Sequence, residues 1–168
     1  MQTILSTFSY FLVFMLLAAL AWRDLKEHTL PDTLNTALAL SFLFFHVATH
    51  WQFVKPAEAL LGCLAGGGLL AVIRTLTNKF YMKDSLGLGD IKLMAAAGLG
   101  IGLPDIFMAL SLGAFIALLH GLGLSVAERK NNHKVKLGQI HVPAGPGLAV
   151  GIALTALYRF GFPPFLHG

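Results

Sequence analysis

Charged residues are scarce in this sequence, since Asp, Glu, Lys and Arg together make up 12% of its 168 residues. An ordinary soluble domain carries about 25%, whereas hydrophobic residues here reach 56%. A chain of this length folded in water could not hide so much apolar surface. The composition therefore excludes a typical soluble domain. It predicts an integral membrane protein with a single domain over residues 1–168.

Cysteine is rarer still, because Cys63 is the only one in the chain. A lone cysteine excludes an internal disulfide and a cysteine-rich zinc site. The net charge of +4 does not predict a nucleic-acid partner, since the basic residues are divided among short loops between apolar stretches. We expect the lipid bilayer to be the surroundings of the chain.

Apolar stretches recur along the chain and predict an all-α bundle of about six transmembrane helices. A helix needs ~20 residues to cross the ~30 Å hydrocarbon core, so the fourth stretch is short unless residues 87–90 also enter the bilayer. The predicted spans are residues 4–22, 34–49, 57–76, 91–103, 106–127 and 142–158.

The positions of the basic residues predict how the bundle is oriented. Ten of the twelve Lys and Arg residues fall in the loops that follow the first, third and fifth spans. Basic loops are retained in the cytoplasm, so both termini are expected outside. Asp24 and Asp90 then lie at cytoplasmic ends of helices, where they can meet in the folded protein.

Asp90 stands between a glycine-containing segment and an apolar run. A carboxylate at membrane depth costs ~2.5–3.5 kcal/mol on insertion scales, which makes this acid a functional candidate. The alternative is an acid that caps the next helix. Gly87 and Gly89 permit backbone shapes that a side chain would block. They could unwind the chain and bring Asp90 to a wet pocket.

Asp24 and Asp90 together suit aspartic-protease chemistry. Two carboxylates held close cannot both ionise easily, so the pair keeps one proton. The ionised carboxylate then draws a proton from water, while the protonated one polarises a peptide carbonyl. This chemistry needs no metal. Lys92 could tune the pair or hold substrate, or it could be a basic residue that snorkels to the membrane edge.

Three segments resemble motifs of the type IV prepilin peptidase family, in the order of that family and over nearly the whole chain. Residues 24–32 resemble its first acid motif, residues 87–92 match its Gly-x-Gly-Asp motif with a following lysine, and residues 142–147 look like its proline-glycine segment. The substrate-binding or supporting residues that the resemblance suggests are Gly87, Gly89, Lys92, Pro143, Gly145 and Pro146.

The resemblance implies an aspartyl endopeptidase of the cytoplasmic (inner) membrane. Such enzymes remove the basic leader of prepilins or pseudopilins at the cytoplasmic face, and Asp24 and Asp90 match the catalytic residues. Larger members contain an added domain with paired cysteines and methylate the new N-terminus. This chain has no such insertion between its first two predicted spans, so we expect no methyltransferase activity, zinc or S-adenosylmethionine. The alternative function is a small proton-coupled transporter that uses the same acids as a relay.

Four further side chains invite a role. Asp32 and Asp105 each follow a proline and precede a predicted helix, so both are predicted to be N-caps. Because Asp32 also lies beside a span, a catalytic acid is the alternative for this residue. His46 and His50 have the spacing of two metal ligands on one helix face. No acid or cysteine stands near them, so an interfacial position at the outer end of the second span is expected. His120 and His141 receive no role.

Small residues recur at four-residue spacing in several predicted spans. In lipid such residues let helices pack closely, so the pattern predicts tight packing inside the bundle, and a homodimer face is the alternative. The residues concerned are Gly62, Gly66, Gly98, Gly102, Gly113, Ala117, Gly121, Gly147 and Gly151.

Overall fold

The computed structural model describes residues 2–81, 87–131 and 144–161, and these residues form six α-helices. The all-α prediction is therefore confirmed for this part of the chain. The helices are α1 (Gln2–Glu27), α2 (Asp32–Ala48), α3 (Pro56–Tyr81), α4 (Leu88–Ile101), α5 (Asp105–Asn131) and α6 (Gly145–Phe160).

Among the described residues, three helical segments are long and apolar enough to cross a membrane, namely Thr7–Glu27, Pro56–Phe80 and Asp105–Gly123. The helices α2, α4 and α6 have only 17, 14 and 16 residues, fewer than the ~20 that a perpendicular crossing requires. Large apolar side chains such as Phe11 and Phe115 are exposed on the outside of the bundle. Such a surface is typical of a membrane protein, and the number of crossings stays a prediction.

Hydrogen bonds between helix ends establish the directions of the helices. Asn35 near the start of α2 donates to the carbonyl oxygen of Gly89 at the start of α4, at 3.3 Å. His46 near the end of α2 lies 2.8 Å from the carbonyl oxygen of Gly100 near the end of α4. These two helices are therefore parallel, and their N-termini lie at the same end of the bundle.

Glycine allows α3 to pack tightly on α4, and α5 on α6. A β-carbon on Gly66 would lie 2.5 Å from the carbonyl oxygen of Met94, and one on Gly151 would lie 2.5 Å from that of Ala109. A side chain at either position would force the helices apart. The predicted packing role of the small residues inside the bundle is confirmed at these contacts.

His46 lies in the core, so the predicted interfacial position is wrong. Its side chain is 0% exposed, and Nε2 faces the carbonyl oxygens of Leu99 and Gly100 at 3.2 and 2.8 Å. Carbonyl groups in the last turn of a helix lack a donor from the helix itself, and the imidazole supplies one. No group of three metal-ligating side chains occurs among the described residues.

Asp32 and Asp105 do not act as the predicted N-caps. Pro31 occupies the N-cap position of α2, and no side chain caps that helix. Asp32 instead accepts a 2.6 Å hydrogen bond from Lys92, and Asp105 lies 3.2 Å from a guanidinium nitrogen of Arg159. Both acids fall in the first turn of their helices, where cations from distant parts of the chain reach them.

Candidate active site

The buried face of α1 ends in an acid. Tyr10, Val13, Leu17 and Leu20 are all buried, and their spacings of three and four residues place them on one helix face. Asp24 continues that face one turn later and is only 7% exposed. The helical repeat therefore directs this carboxylate into the end of the bundle instead of into solvent.

Asp90 begins the buried face of α4. It is 8% exposed, and Leu93, Met94 and Ala97 follow it on the same face. Gly87 occupies the N-cap position with an extended backbone, at φ −65° and ψ 138°. A backbone hydrogen bond from Gly87 reaches the Asp90 carboxylate, as when an acid at the third helical position bonds back to the N-cap.

The structure brings Asp24 and Asp90 to the same end of the bundle. Their carboxylates lie near enough for the charge on Asp24 to act on Asp90. Oδ1 of Asp90 accepts no hydrogen bond from the described residues. A buried carboxylate oxygen ordinarily has a partner, so this unsatisfied atom is unusual in the described part of the chain.

The start of α6 completes the surroundings of Asp24. The backbone N–H of Gly145 donates a buried 3.0 Å hydrogen bond to Oδ2 of Asp24. Pro146 follows in the first turn of α6, where the missing N–H of proline costs little. Pro143, the other proline that the resemblance suggested, lies outside the described residues.

Gly89 is helical, so the expectation that it unwinds the chain is wrong. It lies in the first turn of α4, and a β-carbon there would lie 2.5 Å from Cβ of Leu30. The glycine allows the segment before α2 to approach α4 closely. Asp90 reaches the site from a regular first turn.

Asn35 adjoins the acid site and was missed from the sequence. It is 4% exposed, and its Nδ2 donates to the carbonyl oxygen of Gly89, the residue before Asp90. A signal was present, because Asn35 shares one helical face with Leu38 and Phe42, both apolar and buried. In α2, as in α1, a polar residue on an otherwise apolar helical face indicates a polar side chain directed into the bundle.

Lys92 pairs with Asp32 instead of with the two buried acids. Its Nζ lies 2.6 Å from the Asp32 carboxylate, and the two side chains are 48% and 69% exposed. An exposed ion pair of this kind contributes only ~0–1 kcal/mol to stability. The pair joins the first turn of α2 to α4 at the surface, and Lys92 follows Asp90 by two residues.

Residues 11–122 match the type IV leader peptidase family. The chain is similar to proteins named prepilin leader peptidase/N-methyltransferase. The Aeromonas hydrophila protein is 31% identical over 152 residues, which cover 90% of this chain and 50% of that protein. The Escherichia coli (strain K12) protein is 29% identical over 90% of this chain and 64% of its own length. The chain spans about half the length of the curated relatives it matches, and no solved structure is significantly similar to it.

Proposed function

Because this chain belongs to the type IV leader peptidase family, we propose that it is a membrane-embedded aspartic endopeptidase that removes the leader peptides of prepilins or pseudopilins. The observation that carries the proposal is that two buried carboxylates from different helices, Asp24 and Asp90, lie near enough for the charge of one to act on the other. The relatives are named prepilin leader peptidase/N-methyltransferase, and peptidase activity is part of that name. Family membership also favours hydrolysis over the transporter alternative.

The proposed mechanism uses one proton shared by Asp24 and Asp90. The ionised carboxylate takes a proton from water, and the water oxygen attacks the carbonyl carbon of the scissile peptide bond. The protonated carboxylate gives its proton to the carbonyl oxygen. The resulting diol then collapses: the carboxylate that took the proton from water gives it to the peptide nitrogen, the C–N bond breaks, and a hydroxyl group of the diol returns a proton to the other carboxylate, so that the pair again shares a single proton.

Three structural features support this mechanism. Burial of both acids favours proton sharing over two separate charges. The Gly145 N–H holds one oxygen of Asp24 in place, and Gly87 holds Asp90 through the backbone. Oδ1 of Asp90 is the atom left to contact water or substrate. Positioning of this kind is a large part of catalysis by an acid pair.

We place this end of the bundle at the cytoplasmic face of the inner membrane. Ten of the twelve basic residues lie in the connections that follow α1, α3 and α5 or near the helix ends beside them, and basic segments beside membrane spans are retained in the cytoplasm. In this arrangement residues 1–168 form one peptidase domain with six crossings and both termini outside.

The test is cleavage of a prepilin of the source organism by the full chain in membranes, read as loss of the leader. Asp24→Asn and Asp90→Asn should each abolish cleavage, because asparagine keeps the size of the side chain but cannot accept and return a proton. The double variant should be no worse than either single one, since the pair acts as a unit.

Asp105→Asn is the matched control. Asp105 pairs with Arg159 near the C-terminal end of α6, whereas Gly145 contacts Asp24 at the N-terminal end of that helix. It should cleave like the wild type when activity is normalised to the amount of enzyme in the membrane. Cleavage by both the Asp24 and the Asp90 variants would overturn the aspartic mechanism.

A further inference from the structure

A groove of about 360 Å³ opens between α2, α3 and α4. The Asp32–Lys92 ion pair is part of its lining. From Lys92 to Leu99 the groove follows about two turns of α4, or ~10 Å, the length of about three residues of extended chain. The remaining lining is mostly small or apolar: Thr36, Ala39, Cys63, Ala95 and Ala96.

Asn35 connects this groove to the acid pair. It lines the groove, and its Nδ2 donates to the carbonyl oxygen of Gly89. That carbonyl can only accept, so the amide nitrogen must face it and Oδ1 must point elsewhere. Oδ1 is buried and accepts no hydrogen bond from the described residues. A buried amide oxygen without a donor is costly, which points to a ligand that donates.

We propose that this groove binds the apolar stretch of the substrate polypeptide next to the scissile bond, and that Oδ1 of Asn35 accepts a backbone N–H of that stretch. The proposal rests on the proposed peptidase function. A lipid acyl chain would fill the apolar part of the groove but has no hydrogen to donate. A peptide that is to be hydrolysed must be extended, and its N–H groups then need partners in apolar surroundings.

This arrangement also sets the register of cleavage. Asn35 is one hydrogen bond from the carbonyl group of Gly89, which is bonded directly to Asp90. A substrate N–H held by Asn35 is therefore held at a fixed distance from the acid pair. The shallow, small-residue lining favours apolar side chains of modest size in that stretch.

Cys63 provides a direct probe of occupancy, because it lines the groove and is the only cysteine in the chain. The Asp24→Asn variant in membranes is treated with N-ethylmaleimide, with and without a cysteine-free prepilin of the source organism. At a prepilin concentration ten times its Kd, alkylation of Cys63 should slow by ~10-fold. An unchanged rate under saturating prepilin would overturn the proposal.

Two variants test the groove by kinetics. Ala39→Leu fills the lining and should raise KM for the prepilin with little change in kcat. The matched control is Ala114→Leu, on the exposed surface of α5. Asn35→Leu is nearly isosteric and removes the Oδ1 acceptor together with the Nδ2 donor to Gly89, so kcat/KM should fall by at least ~5–10-fold, the equivalent of one hydrogen bond.

If the role of Asn35 is purely structural, Asn35→Leu will lower the amount of folded enzyme but leave KM and the protection of Cys63 unchanged. That result would overturn the assignment of Asn35 to substrate binding. If the wild type cleaves while Ala39→Leu behaves like Ala114→Leu, the groove is not the binding site and the proposed peptidase function still stands. If the wild type does not cleave, the proposed function fails, and protection of Cys63 reports prepilin binding independently of it.

Discussion

Gly145 and Asp24 lie 121 positions apart in the chain and touch through a 3.0 Å hydrogen bond from a backbone N–H to a buried carboxylate oxygen. A β-carbon on Gly145 would lie 2.5 Å from that same oxygen and 2.8 Å from Cγ. The first turn of α6 can therefore hold the acid only if this residue has no side chain.

Gly145→Ala should consequently lower cleavage by ~100-fold, the order of loss that a misplacement of about 1 Å produces in a catalytic group. The matched control is Gly123→Ala in α5, where an added β-carbon would meet nothing within 4 Å. The measurement is the initial rate of leader removal per membrane-inserted enzyme. Equal rates for the two variants would show that the contact does not position Asp24.

The Asp32–Lys92 pair should contribute little to stability. Both side chains are largely exposed, and Asp32 makes no capping hydrogen bond. Asp32→Ala and Lys92→Ala should each lower the free energy of unfolding in detergent by no more than ~1 kcal/mol, and their coupling in a double-mutant cycle should stay below ~1 kcal/mol. A coupling above 2 kcal/mol would show that the pair is buried in the folded state.

His46→Asn should destabilise the protein without changing cleavage per folded molecule. The shorter asparagine places its amide nearer to the backbone than Nε2, so no donor reaches the carbonyl oxygens of Leu99 and Gly100. Leaving a buried acceptor unpaired costs ~1–3 kcal/mol. The control is His50→Asn at an exposed position with φ 51°, a conformation that asparagine tolerates. Thermal unfolding of both variants in detergent measures the difference.

Two glycine substitutions should change the stability of the protein in opposite directions. A β-carbon on Gly98 would lie 2.7 Å from the backbone nitrogen of Cys63, so Gly98→Ala should lower stability by ~1–3 kcal/mol through overpacking. One on Gly68 would meet nothing within 4 Å, so Gly68→Ala should raise stability by ~0.5–1 kcal/mol through helix propensity. Unchanged or raised stability of Gly98→Ala would contradict the close approach of α3 and α4.

Tag accessibility in intact cells tests the orientation. A tag inserted after Lys55 should be accessible from outside, whereas tags after Lys83 and Lys134 should be protected, because basic loops stay in the cytoplasm. An external tag at Lys134 would contradict the proposed placement of the acid end at the cytoplasmic face.

The helices and the two acids could be located from the sequence because both depend on local pattern. Apolar runs of helical length predict helices directly. Asp24 and Asp90 are conspicuous because a carboxylate beside such a run is costly. The concentration of basic residues in alternate predicted loops predicts that both acids lie at the same end of the bundle.

The partners of each side chain could not be predicted, because they come from distant parts of the chain. Lys92 neutralises Asp32 across 60 positions, and the carbonyl oxygens that bind His46 lie 53 and 54 positions away. Local rules of capping and spacing suggested N-caps and an interfacial histidine instead. Asn35 was overlooked because an amide on an apolar helical face carries no charge to mark it.

The N-terminus of α4 contains Asp90 and the N-terminus of α6 contacts Asp24, and this arrangement has an electrostatic consequence. The N-terminus of a helix carries about half a positive charge from its aligned peptide dipoles. Asp90 lies in the first turn of α4, and Asp24 contacts the first turn of α6. The backbone therefore supplies a positive field at the place where negative charge gathers, both on the acid pair and on a carbonyl oxygen under attack.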